Sequence, residues 1–195
     1  MIDTRRYQMM IGGLGLLLVV AFSIYLYVNG GRGSHPGVAA GQPLKHFVAP
    51  LATSDLNAPA NVSPRCDPAR PARRGLNVCG RTPIVLAFFA VGAKPCIRAV
   101  NSLQTIAPRF PQATFAAVGA GANRAATLKL VQQNHWTIPV GYDSTAAVAQ
   151  LYGVTVCPMI EVARGRTVSR LLIGERWERT GALTTVLAHV LSEKR

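Results

Sequence analysis

One cysteine of this chain stands where an apolar run ends and a helix is expected to begin. Val85-Leu86-Ala87-Phe88-Phe89-Ala90 reads as a buried strand, Val91-Gly92 as a turn, and Ala93-Lys94-Pro95-Cys96 as the opening of an amphipathic segment that continues to about Ala107. Backbone N–H groups and the dipole at a helix N-terminus favour negative charge, and the thiolate is the reactive form of cysteine. Cys96 is therefore the first candidate for chemistry, either thiol–disulfide exchange or attack on an oxidant. The competing reading is a buried structural thiol, since free cysteine packs as a small hydrophobe.

Three more cysteines, Cys66, Cys79 and Cys157, complete the set. Cys66 and Cys79 enclose Asp67, Pro68, Arg70, Pro71, Arg73 and Arg74, a polar stretch that reads as a surface insertion over 64–81 and not as a core strand. A disulfide between these two would close the loop and add about 3 kcal/mol in the chain-entropy picture. His35, His46, His135 and His189 show no ligand spacing with the cysteines, so no metal site is expected. Gly119-Ala120-Gly121-Ala122 lacks the full dinucleotide pattern, no Ser-His-Asp arrangement is apparent, and no cofactor is expected.

The elements that must position Cys96 alternate regularly. Strands are predicted over 82–90 and 113–118 with helices over about 95–107 and 124–134, followed by a short strand near 138–140 and a helix over about 145–152. Met159 to Ala163 and Val168 to Ile173, separated by Arg164-Gly165-Arg166, read as a hairpin, and a last helix over about 180–192 carries Leu183, Val186, Leu187, Val190 and Leu191 on one face. A short strand is expected near Phe47.

Ahead of this domain, Met9 to Val28 is an uncharged apolar run of 20 residues, the length that crosses a bilayer as a helix. Arg5 and Arg6 precede it and Arg32 alone follows closely, which predicts residues 1–8 in the cytoplasm and a single-pass anchor over 9–28 in the cell membrane. The domain then lies on the extracytoplasmic side. A cleaved signal peptide is the rival, with Val38-Ala39-Ala40 as the small-residue site, but that site lies far beyond the run. Asn29 to Pro43, rich in glycine, reads as a flexible linker, leaving residues 44–195 as one domain. Outside the cytoplasm cysteines persist as disulfides. The net charge of +13 suits an anionic membrane surface or an acidic partner, although a solvated basic surface is the simpler reading. No interleaving of basic and aromatic residues points to nucleic acid.

The strand Pro83 to Ala90 running into a Pro-Cys helix start, the segment Ile138-Pro139-Val140-Gly141-Tyr142-Asp143, and Leu151-Tyr152-Gly153-Val154 leading to Cys157-Pro158 together resemble the thioredoxin fold. The resemblance is closest to the membrane-anchored TlpA/ResA-like and AhpC/TSA-like redoxin group and covers roughly Gly41 to Leu191. It implies an α/β fold with a central mixed sheet flanked by helices, here preceded by one transmembrane helix, and a cis peptide before Pro158. In that group two cysteines flank a dipeptide and the first attacks; here Ala93 replaces the first, with Lys94 and Pro95 as the dipeptide and Cys96 as the second cysteine. A dithiol cycle inside the motif is therefore excluded.

Three functions remain open on these grounds. The resemblance places the cis-proline loop opposite the motif, so Cys157 can pair with Cys96 in a thiol–disulfide oxidoreductase that serves a redox partner protein. Alternatively, Cys96 acts alone on peroxide as in peroxiredoxins, with Lys94 and Arg98 favouring its thiolate, although Ala93 stands where that family carries a hydroxyl. The third is a non-catalytic thioredoxin-like binding module that uses the basic insertion around Arg70 to Arg74.

Overall fold

The computed structural model describes residues 15–25, 36–66, 74–79 and 83–192. Residues 35–195 form one compact unit and residues 1–34 another. Within the second of these, residues 15–25 are helical, with Leu16, Leu17, Phe22 and Ile24 exposed. Among the described residues no helix is long and apolar enough to cross a membrane. The remainder of the apolar run expected to span the bilayer, 9–14 and 26–28, lies outside the described residues, as do 1–8 and 29–35.

The larger unit is built on a five-stranded sheet. After a two-stranded antiparallel ribbon of β1 (Phe47–Pro50) and β2 (Gly75–Val78), the chain forms β3 (Ile84–Phe89), helix α1 (Lys94–Ile106), β4 (Thr114–Ala120), helix α2 (Arg124–Gln133) and β5 (Val140–Asp143). A short helix α3 (Ala147–Leu151), the hairpin β6 (Met159–Arg164) and β7 (Thr167–Ile173), and helix α4 (Thr180–Ser192) complete it. Strand order is β5-β4-β3-β6-β7, with β3, β4 and β5 parallel and β6 and β7 antiparallel to their neighbours. This is a mixed sheet, and β3 lies at its centre with all six residues buried.

Alternation along β3 divides the core. Val85, Ala87 and Phe89 face α1 and α4, packing with Val100, Leu103, Ile160, Leu183 and Leu187. Ile84, Leu86 and Phe88 face the ribbon side, where Phe47, Leu76, Val78, Val118 and Tyr152 close over them. Side chains of a strand point alternately to opposite faces, so a central strand covered on both sides reads as a continuous apolar run, as this one does.

Two stretches differ from expectation. Gly75–Val78, inside what reads as a polar insertion, is a strand paired with β1 in the register Phe47↔Val78, and it buries Leu76 and Val78. Two apolar residues at alternate positions suffice when a ready-made edge and an apolar face await them. The remainder of the basic loop, 67–73 and 80–82, lies outside the described residues. Residues 36–43, expected in the linker, lie against the domain: Gly37 N–H donates to Gly153 O, Gly41 N–H to Val168 O, and Val38 is buried. Gly37 has φ +78, and a Cβ there would meet the Leu171 side chain at 2.4 Å, so no other residue fits without displacement.

Under Val38 sits a carboxyl group that the sequence reading did not single out. Glu161 lies on β6 between Leu86 of β3 and Leu171 of β7 and is 0% exposed. One oxygen accepts the Val38 N–H at 2.6 Å and the other has no hydrogen-bond partner. Desolvation pushes this carboxyl up to about 7, against a smaller opposing effect of the Val38 bond.

A carboxyl with a raised folded-state pKa binds its proton more tightly in the native than in the unfolded chain. Its favourable balance is fully present below the ordinary value of 4.5 and is lost as the pH rises through about 7. We expect stability in denaturant titrations to fall by on the order of 3 kcal/mol between pH 4.5 and 8 from this group. The variant Glu161→Gln should lack that component, and parallel profiles for the two proteins would show that Glu161 does not carry it. Separately, the Cys66–Cys79 disulfide closes a loop with a sequence separation of 13 and a Cα–Cα distance of 5.5 Å. Replacing both cysteines by alanine should lower stability by about 3 kcal/mol without altering the far-UV spectrum.

Candidate functional site

The site forms where β3 runs out of the sheet. Phe89 ends the strand, Gly92 turns the chain at φ +86, and Ala93 takes the position before the first turn of α1 with an extended backbone and no side-chain cap. Pro95 stands in that first turn, where the missing N–H is of no consequence and the ring's fixed φ suits the helix. Ala93 O accepts from the N–H groups of Cys96 and Ile97 at 3.1 and 3.2 Å, which fixes Cys96 within the first turn. The Cys96 side chain points inward and is 1% exposed, among Ala99, Val100 and Ile160.

From the other side comes the loop between α3 and β6. Gly153 turns it at φ +60, and the Cys157–Pro158 peptide is cis. Pairing of Met159 with Phe88 then aligns β6 beside the end of β3. That register carries Cys157, two positions earlier, onto the β3–α1 junction, with its sulfur 3.5 Å from the Phe88 carbonyl oxygen. The structure joins Cys96 and Cys157 as a disulfide, with Cα atoms 5.5 Å apart, within the usual range for such links.

Burial separates the two sulfurs. Cys157 is half-buried and borders an open pocket of about 180 Å³ that is also lined by Phe89, Ala90, Ala120, Val154 and Val156. Val156 and Val91, at 40% and 47% exposure, present apolar side chains to solvent nearby in the chain. Thus all the residues singled out for this site lie on two segments that meet: Ala93, Lys94, Pro95 and Cys96 on one, Cys157 and Pro158 on the other. Pro158 is buried beneath the loop, Lys94 is exposed, and the Ala93 methyl is half-buried.

The cations near Cys96 divide as well. Arg98, expected to favour the thiolate, instead donates from Nε to Glu178 Oε2 at 2.5 Å, and this bond raises its pKa further above the ordinary value. Glu178 is held in turn by its place in the turn over Glu175–Glu178, where Ser102 donates to its main-chain oxygen. Lys94 is therefore the nearer of the two to acting as an unpaired charge, and no ion pair of Lys94 is found among the described residues. Sequence reasoning missed the Phe88 carbonyl and the walls Val154 and Val156, because main-chain acceptors and apolar loop residues carry no signature of type or spacing.

The arrangement supports thiol–disulfide chemistry. In the oxidised form the Cys157 sulfur is the more exposed of the two, and Cys96 stands at a helix N-terminus, where negative charge on sulfur is favoured. In the reduced form the Cys157 thiol can donate to Phe88 O, already 3.5 Å away. Among the described residues no group of three or more His, Cys, Asp or Glu side chains is placed to hold a metal ion.

No protein-family model and no curated protein sequence matches this chain. Solved structures do. A protein assigned as thiol:disulfide interchange protein DsbE of Chlorobium tepidum matches with TM-score 0.63 at 17% identity, over 80% of this chain and 99% of that one. Peroxidoxin BcpB of Mycobacterium tuberculosis matches with TM-score 0.59 at 16% identity, over 83% of this chain and 100% of its own. A secreted disulfide oxidoreductase of Mycobacterium tuberculosis, homologous to DsbE of E. coli, matches with TM-score 0.51 at 20% identity, over 55% of this chain and 81% of that one. At such identities a likeness speaks for architecture alone, and that architecture is the thioredoxin-like α/β fold.

Proposed function

We propose that this protein is a membrane-tethered, extracytoplasmic thiol–disulfide oxidoreductase whose redox pair is Cys157 and Cys96. The observation that carries the reading is the disulfide linking the helix start to the cis-proline loop, with one sulfur at an open pocket and the other buried. Ala93 removes the usual attacking thiol of a two-cysteine motif, and Cys157 supplies a second sulfur from across the junction.

The cycle balances in either direction. In the reducing direction the Cys157 thiolate attacks one sulfur of a partner disulfide, forming a mixed disulfide and releasing one partner thiolate. Cys96, as thiolate, then attacks the Cys157 sulfur, which forms the internal disulfide and expels the second partner thiolate. Two electrons pass to the partner, and the two partner thiolates take up the protons given up by Cys157 and Cys96. In the oxidising direction a partner thiolate attacks Cys157, Cys96 leaves, and a second partner thiol resolves the mixed disulfide. The apolar pocket beside Cys157 suits a partner cysteine flanked by a small apolar side chain.

The tether rests on the uncharged run from Met9 to Val28 behind Arg5 and Arg6, and the outside location on that charge asymmetry together with two disulfides in one domain. A peroxidase reading with Cys96 as the lone attacking thiolate requires that sulfur to meet peroxide, and its 1% exposure speaks against it.

In the reduced protein, iodoacetamide should modify Cys157 well before Cys96, as followed by peptide mass spectrometry. Cys96→Ser should accumulate a mixed disulfide between Cys157 and a disulfide-bonded model peptide, whereas Cys157→Ser should form none and lose turnover. Equal exchange rates for wild type and Cys157→Ser, or two free thiols in protein isolated under oxidising conditions, would sink the proposal.

A further inference from the structure

On the edge of the domain a second cavity, of about 490 Å³, opens between β7 and α4. Its floor is apolar. Ala182, Val186 and Val190 follow one another at helical spacing along α4, and the turn over Glu175–Glu178 adds the indole of Trp177. That indole is itself fixed: it packs with Leu172, Leu183 and Leu187 in the core, and its N–H donates to Ile173 O at 3.1 Å.

The rim is cationic. Arg170 projects from β7 and is exposed, and Arg176 lies with its guanidinium 4.5 Å from the centre of the Trp177 ring. Neither arginine enters an ion pair among the described residues, whose pairs are Arg74–Asp55 and Arg98–Glu178. No acidic residue lines the cavity. It has no lining residue in common with the pocket beside Cys157.

We propose that this cavity binds a small organic carboxylate with an apolar body. Two guanidinium groups offer forked donors that match a carboxylate, while Trp177, Val186 and Val190 take the hydrocarbon part. The volume falls within the usual range of small-molecule sites, about 300–1,000 Å³, and such sites combine an apolar lining with a few polar groups in this way. A simple anion would gain nothing from the floor, and a neutral hydrocarbon nothing from the rim. Arg176 both lines the cavity and lies over the indole face at 4.5 Å, so the residue can act as wall and as donor.

The probe is 4-phenylbutyrate, with 4-phenylbutanol and acetate as its neutral and apolar-free counterparts. The full chain, isotopically labelled and held in phosphatidylcholine nanodiscs, reports through its two tryptophan indole signals, since Trp136 packs beside Phe89 and does not line the cavity. We expect 4-phenylbutyrate to shift the Trp177 signal saturably and leave that of Trp136 in place, and 4-phenylbutanol and acetate to bind much more weakly. Arg170→Ala and Arg176→Ala should each weaken binding about tenfold or more, whereas Arg109→Ala, an exposed arginine elsewhere, should not. Equal affinity for the alcohol, no loss in either arginine variant, or no movement of Trp177 would overturn the proposal. So would a shift produced only by nanodiscs containing phosphatidylglycerol, which would assign the cations to a lipid surface. The outcome is independent of the exchange chemistry, because Cys157→Ser should bind the probe as the wild type does.

Discussion

The alignment of β6 against β3 is the constraint on which the candidate site rests. Cys96 and Cys157 are 61 residues apart in sequence, and nothing local brings them together. What does so is the pairing of Met159 with Phe88 at the end of the central strand, with the α1 helix start continuing from one member of the pair and the cis-proline loop preceding the other. Slipping that register by one residue would turn Met159 and Ile160 onto the wrong faces of the sheet, and both are buried with 0% exposure in separate clusters. The same apolar packing that fixes the strands therefore fixes the sulfur pair.

Burial then makes the two sulfurs unequal. Cys96 has the electrostatic advantage of the helix start but lacks access; Cys157 has access but lies on a loop outside any helix. Exchange chemistry uses both properties, since the attacked sulfur must be reachable and the departing one must bear charge well. The Arg98–Glu178 bond adds to this division by drawing one cation away from Cys96 and using it to hold the turn over Glu175–Glu178 against α1.

Much of this architecture was legible in the sequence. The apolar run at Val85–Phe89 announces a strand buried on both faces, and the Arg164-Gly165-Arg166 turn announces the hairpin, because each depends on local pattern. Cys96 stands out for the same reason. The second sulfur came from the likeness of Leu151–Pro158 to a known loop, since pairing at long range is not written in spacing. β2 was hidden because two apolar residues between arginine and cysteine resemble any loop, and it becomes a strand only through the edge that β1 provides. Glu161 was hidden more deeply: it is the one carboxylate in an otherwise apolar run, and nothing in that run tells which main-chain donor will meet it. The return of residues 37–38 over the strand supplies that donor, the Val38 N–H.

That return has its own consequence for the site. Gly37 N–H binds Gly153 O and Val38 N–H binds Glu161, so the chain entering the domain is fastened at two points. Gly153 opens the loop that carries Cys157, and Tyr152 just before it donates its hydroxyl to Lys45 O. Burial, reinforced by the Glu161 carboxyl, holds the Tyr152 phenol above its ordinary pKa, so it remains a donor. The base of the loop is thereby pinned from both sides while its tip, at Thr155 and Val156, stays exposed. A loop held at its root and open at its tip leaves the space beside Cys157 accessible without disturbing the register that keeps Cys96 within reach.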